Sequence, residues 1–161
     1  RDSTLLLVHA DNWTCCDLSK FLFYHHNQRP KGTVITMMTF NCPNPLSCGI
    51  VELDKNGVVI RFHEKIKNPP GSLANAAVYL LDPLVVEWIE SHPEVSDFST
   101  GVLPNFIGKI ATWENREVHR DIGTIDMLIK SQTDSCKQPI WGSNNLWQQS
   151  CLEHPIHKMI K

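Results

Sequence analysis

The run Leu5-Leu6-Leu7-Val8-His9-Ala10-Asp11-Asn12 constrains the fold more than any other stretch of this chain. Residues 4–10 are mostly apolar, too few for a helix and bounded by polar residues, so they read as a fully buried strand. Apolar positions then recur at helical spacing over residues 16–28 (Leu18, Phe21, Leu22, then Tyr24-His25). Asp17 falls in the first turn, where the helix dipole favours an anion. Arg29-Pro30-Lys31-Gly32 turns the chain into a second strand over residues 33–40. Strand, helix, strand in that order predicts a parallel pair joined by a right-handed crossover. The fold class that follows is an α/β domain with a mixed, mostly parallel sheet.

Further along, residues 49–53 and 58–64 flank Asp54-Lys55-Asn56-Gly57. Asn-Gly tolerates positive φ at both positions and is a strong hairpin signal. Residues 76–81 read as another strand, and Asp82-Pro83 opens a helix to residue 90, with proline at its first turn. Asp97-Phe98-Ser99-Thr100 caps a short helix to residue 107. Residues 110–113 and 117–120 form short strands across Glu114-Asn115-Arg116, and Thr124 caps a helix over 125–130. Residues 1–132 thus make the folded part. Residues 133–161 are a polar tail, anchored by Trp141 and Trp147 and with a helix expected around 146–151.

Bulk properties exclude several classes. The 161 residues suffice for one domain with a core, and 42% apolar with 20% charged residues is ordinary for a globular protein. A formal charge of −2 argues against a non-specific nucleic-acid binder, which needs a basic face. No apolar run approaches the roughly 18–20 residues of a membrane span. Cys15, Cys16, Cys42, Cys48, Cys136 and Cys151 form no CxxC pair, and read as reduced thiols of a cytoplasmic protein. His154 and His157 are interrupted by Pro155, which argues against a metal site there.

Chemistry concentrates at strand ends. In open α/β sheets ligands bind outside the carboxyl ends of the strands, and Asp11 lies at such an end. A carboxylate there suits a hard cation, since Mg²⁺ takes one or two carboxylates plus substrate phosphates; equally, Asp11 and Asn12 could only stop the strand. Asp121 also follows a strand and precedes a Gly-containing turn, so two carboxylates distant in sequence could converge on one metal. Lys65 could meet a phosphate as a point charge and Glu64 could accept from sugar hydroxyls, or the two could be a solvated pair. Gly49 could let backbone approach a ligand or merely begin a strand. Asn75 could bond a hydroxyl or turn the chain, and His119-Arg120 could face phosphate or solvent.

The order of these segments is more specific than any one of them. Asp11-Asn12, CGIVELD (48–54), FHEK (62–65), LANAAVYLLDP (73–83), DFSTGVLP (97–104) and HRDIGT (119–124) come in one series. It resembles the sugar-1-phosphate nucleotidyltransferases, whose usual forms are GDN, YGVVE, F-x-EKP, N-A-G-x-Y and DIGT. The resemblance covers residues 5 to about 130, and bacterial mannose-1-phosphate or heptose-1-phosphate guanylyltransferase-type proteins look most similar.

The resemblance implies a Rossmann-like nucleotidyltransferase fold. It implies transfer of a nucleotidyl group from a nucleoside triphosphate, GTP by that likeness, to a mannose- or heptose-type sugar 1-phosphate. Pyrophosphate would leave and Mg²⁺ would be the cofactor. Asp11 and Asp121 match the metal-binding carboxylates, Lys65 the lysine on the sugar phosphate, and Glu64 the ligand of sugar hydroxyls. Gly49 matches the glycine facing the sugar, Asn12 belongs to the same GDN-like segment, and Asn75 to the segment closing over the sugar. No nucleic-acid or membrane partner is implied, and assembly as a homo-oligomer stays open.

Departures are Ala10 for Gly, Cys48 for Tyr, Ile66 for Pro and Ala77 for Gly. Nothing matches the family's opening loop, L-A-G-G-x-G-T-R-L, which cradles the triphosphate. The expectation is therefore the C-terminal part of a longer enzyme, inactive as the isolated chain. The competing expectation is a sugar-phosphate-binding or regulatory module without catalysis. A metal-dependent glycosyltransferase fits less well, because Asp11-Asn12-Trp13 lacks the second Asp of a D-x-D.

Overall fold

The structure, a computed structural model, describes residues 3–135. The helix expected around 146–151, the histidines of the tail, and Cys136 and Cys151 lie outside the described residues.

The centre of the sheet is the strand richest in buried side chains. Numbered in chain order, the strands are β1 Leu5–Val8, β2 Asn12–Thr14, β3 Ile35–Asn41, β4 Gly49–Leu53, β5 Val59–Glu64, β6 Leu73–Leu81, β7 Ile110–Glu114 and β8 His119–Asp121. The helices are α1 Leu18–Asn27, α2 Pro83–Ser91 and α3 Ile125–Ser131. Nine residues long, β6 buries Ala74, Ala76, Val78, Tyr79, Leu80 and Leu81, and strands with that much apolar surface take central positions.

The large sheet runs β5-β4-β6-β3-β7, with β1 also on β6. One edge of β6 carries β3 along its length, from Ile35↔Leu81 to Asn41↔Leu73. The other edge is divided: β4 meets its start (Ile50↔Ala74) and β1 its end (Leu5↔Leu81 to Val8↔Val78).

This topology corrects the expectation of a mostly parallel sheet. Both β1 and β3 are antiparallel to β6. They therefore run parallel to each other, but with β6 inserted between them. Only β3 and β7 pair in parallel; the other pairings described are antiparallel. β1 also proves less buried than its composition suggests. Its Leu5, Leu6 and Val8 are exposed, while Leu7 packs against the core.

Alternation along the strands splits the core into two layers. Ile35 and Met37 of β3, with Tyr79 and Leu81 of β6, pack with Val85 of α2, Leu103 and Phe106. On the opposite face Met38, Ala76, Val78 and Leu80 pack with Phe21 of α1. A helix thus covers each face. α1 begins at Asp17, which is the N-cap rather than a first-turn residue, its carboxylate accepting from the Lys20 N–H.

Four more expectations change locally. The β4–β5 hairpin forms, but only Gly57 takes positive φ (79°); Asp54 Oδ1 organises the turn by accepting from the Asn56 and Val58 N–H groups. The helix expected over 97–107 is a π turn, Phe98–Val102, followed by a 3₁₀ turn, Leu103–Phe106. The two strands expected across 114–116 belong to different sheets, since β8 pairs with β2. Cys15 is disulfide-bonded, which corrects the all-thiol reading; Cys16, Cys42 and Cys48 are free.

Candidate functional site

The ribbon of β2 and β8 brings the early and late carboxylates together. Asn12 lies opposite Asp121 in its register, and the Ile122 N–H donates to Asp11 O (2.8 Å). Asp121 Oδ1 accepts from the Gly123 N–H (2.7 Å), which fixes that carboxylate. A methyl group at Gly123 would stand 2.9 Å from Asp121 Oδ1 and 3.8 Å from Asp11 Oδ2. Both carboxylates, each exposed, therefore converge on one small space.

Beside them β6 bulges. It spends residues 76–78 where β3 spends only Met38, and Ala77 sits at φ 52°. Asn75 Oδ1 accepts from the Ala77 N–H (2.9 Å). Asn12 Nδ2 donates to Ala76 O (2.9 Å) and the His9 N–H to Ala77 O (3.2 Å). The amides of Asn12 and Asn75 thus shape the bulge. Asn75 Nδ2 is also engaged, donating to the Tyr79 hydroxyl at 2.6 Å.

Tyr79 links the bulge to the hairpin. Burial pushes its hydroxyl up to about 12, the Asn75 and Ser99 hydrogen bonds oppose this, and the charges of Glu64 and Asp97 add to it. Glu64 lies opposite Gly49. A methyl at Gly49 would come within 2.6 Å of Phe62 Cζ and 2.7 Å of Glu64 Oε2, so the glycine makes room for the Glu64 side chain. Lys65 follows at φ 48°; its Nζ is exposed, 3.7 Å from Glu64 Oε1.

Asp97 caps the π turn through the Thr100 N–H and hydroxyl, both at 2.6 Å. Those bonds hold its carboxyl below the usual range, and the nearby charge of His9 acts the same way. His9, Tyr79, Asp97 and Ser99 therefore frame the site, whereas the sequence pointed to Asp97 and Ser99 only as part of a helix cap. The signal available was DFST, a capping sequence in the ordered series. His119 packs against Phe40 with the rings tilted at 51° and their centroids 4.4 Å apart, and its buried Nδ1 has no hydrogen-bond partner. Arg120 is occupied by Asp134 (2.8 and 2.6 Å), so it does not stand free for a phosphate.

The donor set suits a hard cation only in part-occupied form. Among the described residues no group of three or more His, Cys, Asp or Glu is placed to hold a metal ion. Two convergent carboxylates match the share that protein contributes when phosphates complete the shell of Mg²⁺.

The site so defined is a pair of convergent carboxylates in an α/β domain, beside a Glu-Lys pair and a bulged central strand. Residues 1–138 match the nucleotidyl transferase family, and the chain belongs to it. It is 26% identical over 138 residues to a glucose-1-phosphate adenylyltransferase of Ruminiclostridium cellulolyticum, covering 81% of this chain and 32% of that protein. A mannose-1-phosphate guanylyltransferase of Mycobacterium tuberculosis is also 26% identical over 138 residues, covering 83% and 37%. The chain thus spans about a third of the length of the curated relatives it matches. The fold is similar to that of a chain described as a glucose-1-phosphate thymidylyltransferase from Bacillus anthracis, in complex with a sucrose. The TM-score is 0.68 at 19% identity, covering 88% of this chain and 58% of that one. No helix among the described residues is long and apolar enough to cross a membrane.

Proposed function

We propose that this chain carries the sugar-phosphate and cation side of a sugar-1-phosphate nucleotidyltransferase. The observation that carries the reading is the convergence of Asp11 and Asp121 on Gly123, next to the β6 bulge and in series with Glu64 and Lys65. The names of the relatives support the substrate class. GTP with a mannose- or heptose-type sugar 1-phosphate is the pair we assign, on the sequence series and the Mycobacterium tuberculosis relative.

In this mechanism Lys65 draws the sugar's phosphate by charge and Glu64 accepts from sugar hydroxyls. The bulge at Ala77 presents backbone to the sugar, held by Asn12 and Asn75. Gly49 keeps the space that Glu64 occupies. Asp11 and Asp121 would hold Mg²⁺, which when bound supplies neutralisation of phosphate charge. The sugar phosphate attacks the α-phosphorus of the triphosphate in line, and pyrophosphate leaves; the residues contribute position and charge without covalent chemistry.

Calorimetric titration with mannose 1-phosphate, with and without Mg²⁺, tests the assignment. Mg²⁺ is expected to tighten binding about tenfold, near 1.4 kcal/mol. Asp11→Asn and Asp121→Asn should each remove that gain. Lys65→Met should weaken binding with or without the cation. Binding that depends on Lys65 but ignores Mg²⁺ and both Asp variants would instead indicate the non-catalytic module.

A further inference from the structure

Two sulfur atoms stand outside the roles described so far. Cys42 follows β3, its N–H donating to Ser72 O (2.8 Å), and Cys48 immediately precedes β4, its N–H donating to Pro45 O (3.3 Å). Between them the chain turns tightly through a 3₁₀ turn, Pro45–Ser47, closed by the Ser47 N–H on Asn44 O (3.1 Å). The turn brings Cys42 Sγ and Cys48 Sγ to 2.8 Å, and both are free thiols.

The two sulfurs are not equivalent. Cys42 is buried with Ile50 and Ala74, whereas Cys48 is only partly buried at the rim of that cluster. We propose that Cys42 and Cys48 form a dithiol–disulfide modification site, oxidised by small-molecule disulfides of the glutathione type. The turn that separates them is short, so little chain entropy opposes closure, and the sulfurs already lie close to the roughly 2.05 Å of the bond. Neither thiol belongs to the candidate site, so the proposal does not depend on its function.

The order of attack follows from access. Burial and the neighbouring Cys48 push the Cys42 thiol up to about 12, so Cys42 is protonated at neutral pH. The Cys48 thiolate attacks one sulfur of the small disulfide, that S–S bond breaks, and one small thiolate leaves and takes up a proton. Cys42, giving its proton to solvent, then attacks the Cys48 sulfur of the mixed disulfide, and the second small thiolate leaves. Two protein thiols and one disulfide become one protein disulfide and two small thiols; the two electrons end on the oxidant. Closure ties both ends of the turn that leads into Gly49 and, through Cys48 O accepting from the Lys65 N–H (3.4 Å), reaches Lys65.

Both cysteines fall on one tryptic peptide, residues 32–55, which makes the test direct. The whole chain is exposed to buffers of graded reduced and oxidised glutathione, its thiols are blocked with iodoacetamide, and the peptide is weighed. The expected product lacks two hydrogens, carries no adduct, and reverts with dithiothreitol. In Cys42→Ser, Cys48 should retain glutathione; in Cys48→Ser, Cys42 should react about tenfold or more slowly. Wild-type peptide that keeps glutathione on Cys48, or that is alkylated at both sulfurs throughout the series, would overturn the proposal. The wild-type measurement stands even where a serine variant fails to fold.

Discussion

Ala77 occupies backbone space that an L residue enters at a cost. Its φ of 52° is the left-handed region, worth roughly 1–2 kcal/mol against a non-glycine residue. Asn12, His9 and Asn75 hold it there through the hydrogen bonds of the bulge. The related motif carries glycine at this position, so the departure noted in the sequence becomes a conformational load. Lys65, at φ 48°, carries a similar one, and strain of this kind gathers at ligand sites. Ala77→Gly should relieve the first, offset by the greater unfolded-state freedom of glycine. A net gain of about 0.5–1 kcal/mol, read from urea unfolding midpoints, is expected once relief of the left-handed strain is set against that entropy. An unchanged or lower midpoint would show that the bulge carries no strain.

Elements were legible in the sequence wherever the information was local. The period of Leu18, Phe21 and Leu22 marked α1, Pro83 marked the first turn of α2, and Thr124 marked the cap of α3. The expectation of a site at Asp11, Gly49, Glu64, Lys65, Asn75 and Asp121 came from the order of the segments, and the structure brings Asp11 and Asp121 together. Pairing was not legible, because β6 separates β1 from β3 by contacts that no short window contains. Nor could any window show that α1, β3 and the cap of α2 share one polar cluster. There His25, fully buried, meets Thr36 Oγ1 through Nδ1 (2.8 Å) and Asp82 Oδ1 through Nε2 (3.2 Å), while Arg29 bonds Asp82 Oδ2 at 2.8 Å.

Burial first, then the Arg29 charge, pushes His25 down to about 4, with Asp82 opposing and His26 assisting. The folded state therefore keeps this ring neutral while the unfolded chain protonates near pH 6.5. The unfolded state binds the extra proton, so stability is full above about 6.5 and falls as pH drops toward 4. His119, pushed down to about 4 mainly by burial, adds in the same direction. Urea midpoints measured from pH 7 to pH 5 should fall steadily, and His25→Gln should flatten that slope whatever it does to stability at pH 7. An equal slope in the variant would assign the acid sensitivity elsewhere.

On the scale of the whole molecule, the candidate site exists because a small ribbon is fastened to a large sheet. Alongside the bond from Asn12 Nδ2 to Ala76 O, Asn115 is one fastening. Buried just past β7, its N–H donates to Thr39 O (2.7 Å) of β3. Its Nδ2 donates to Thr14 Oγ1 (3.0 Å) of β2 and Val118 O (3.3 Å), and its Oδ1 accepts from the Glu117 N–H (2.9 Å). One side chain thus ties the approach to β8 against β2, and the backbone of the same residue extends the β3 edge. Asn115→Ala removes three side-chain hydrogen bonds to partners that are only half-buried or exposed and should cost about 1–3 kcal/mol. It should also loosen the register that sets Asp11 beside Asp121, so the gain in mannose 1-phosphate affinity from Mg²⁺ should shrink with it. Asp121→Asn should lose that gain while the urea midpoint stays nearly constant, because its carboxylate is exposed. The pair of variants separates architecture from ligation. If Asn115→Ala kept wild-type stability, the ribbon would be held by other contacts; if it lost stability but kept the full Mg²⁺ response, the carboxylates would not depend on the ribbon for their convergence.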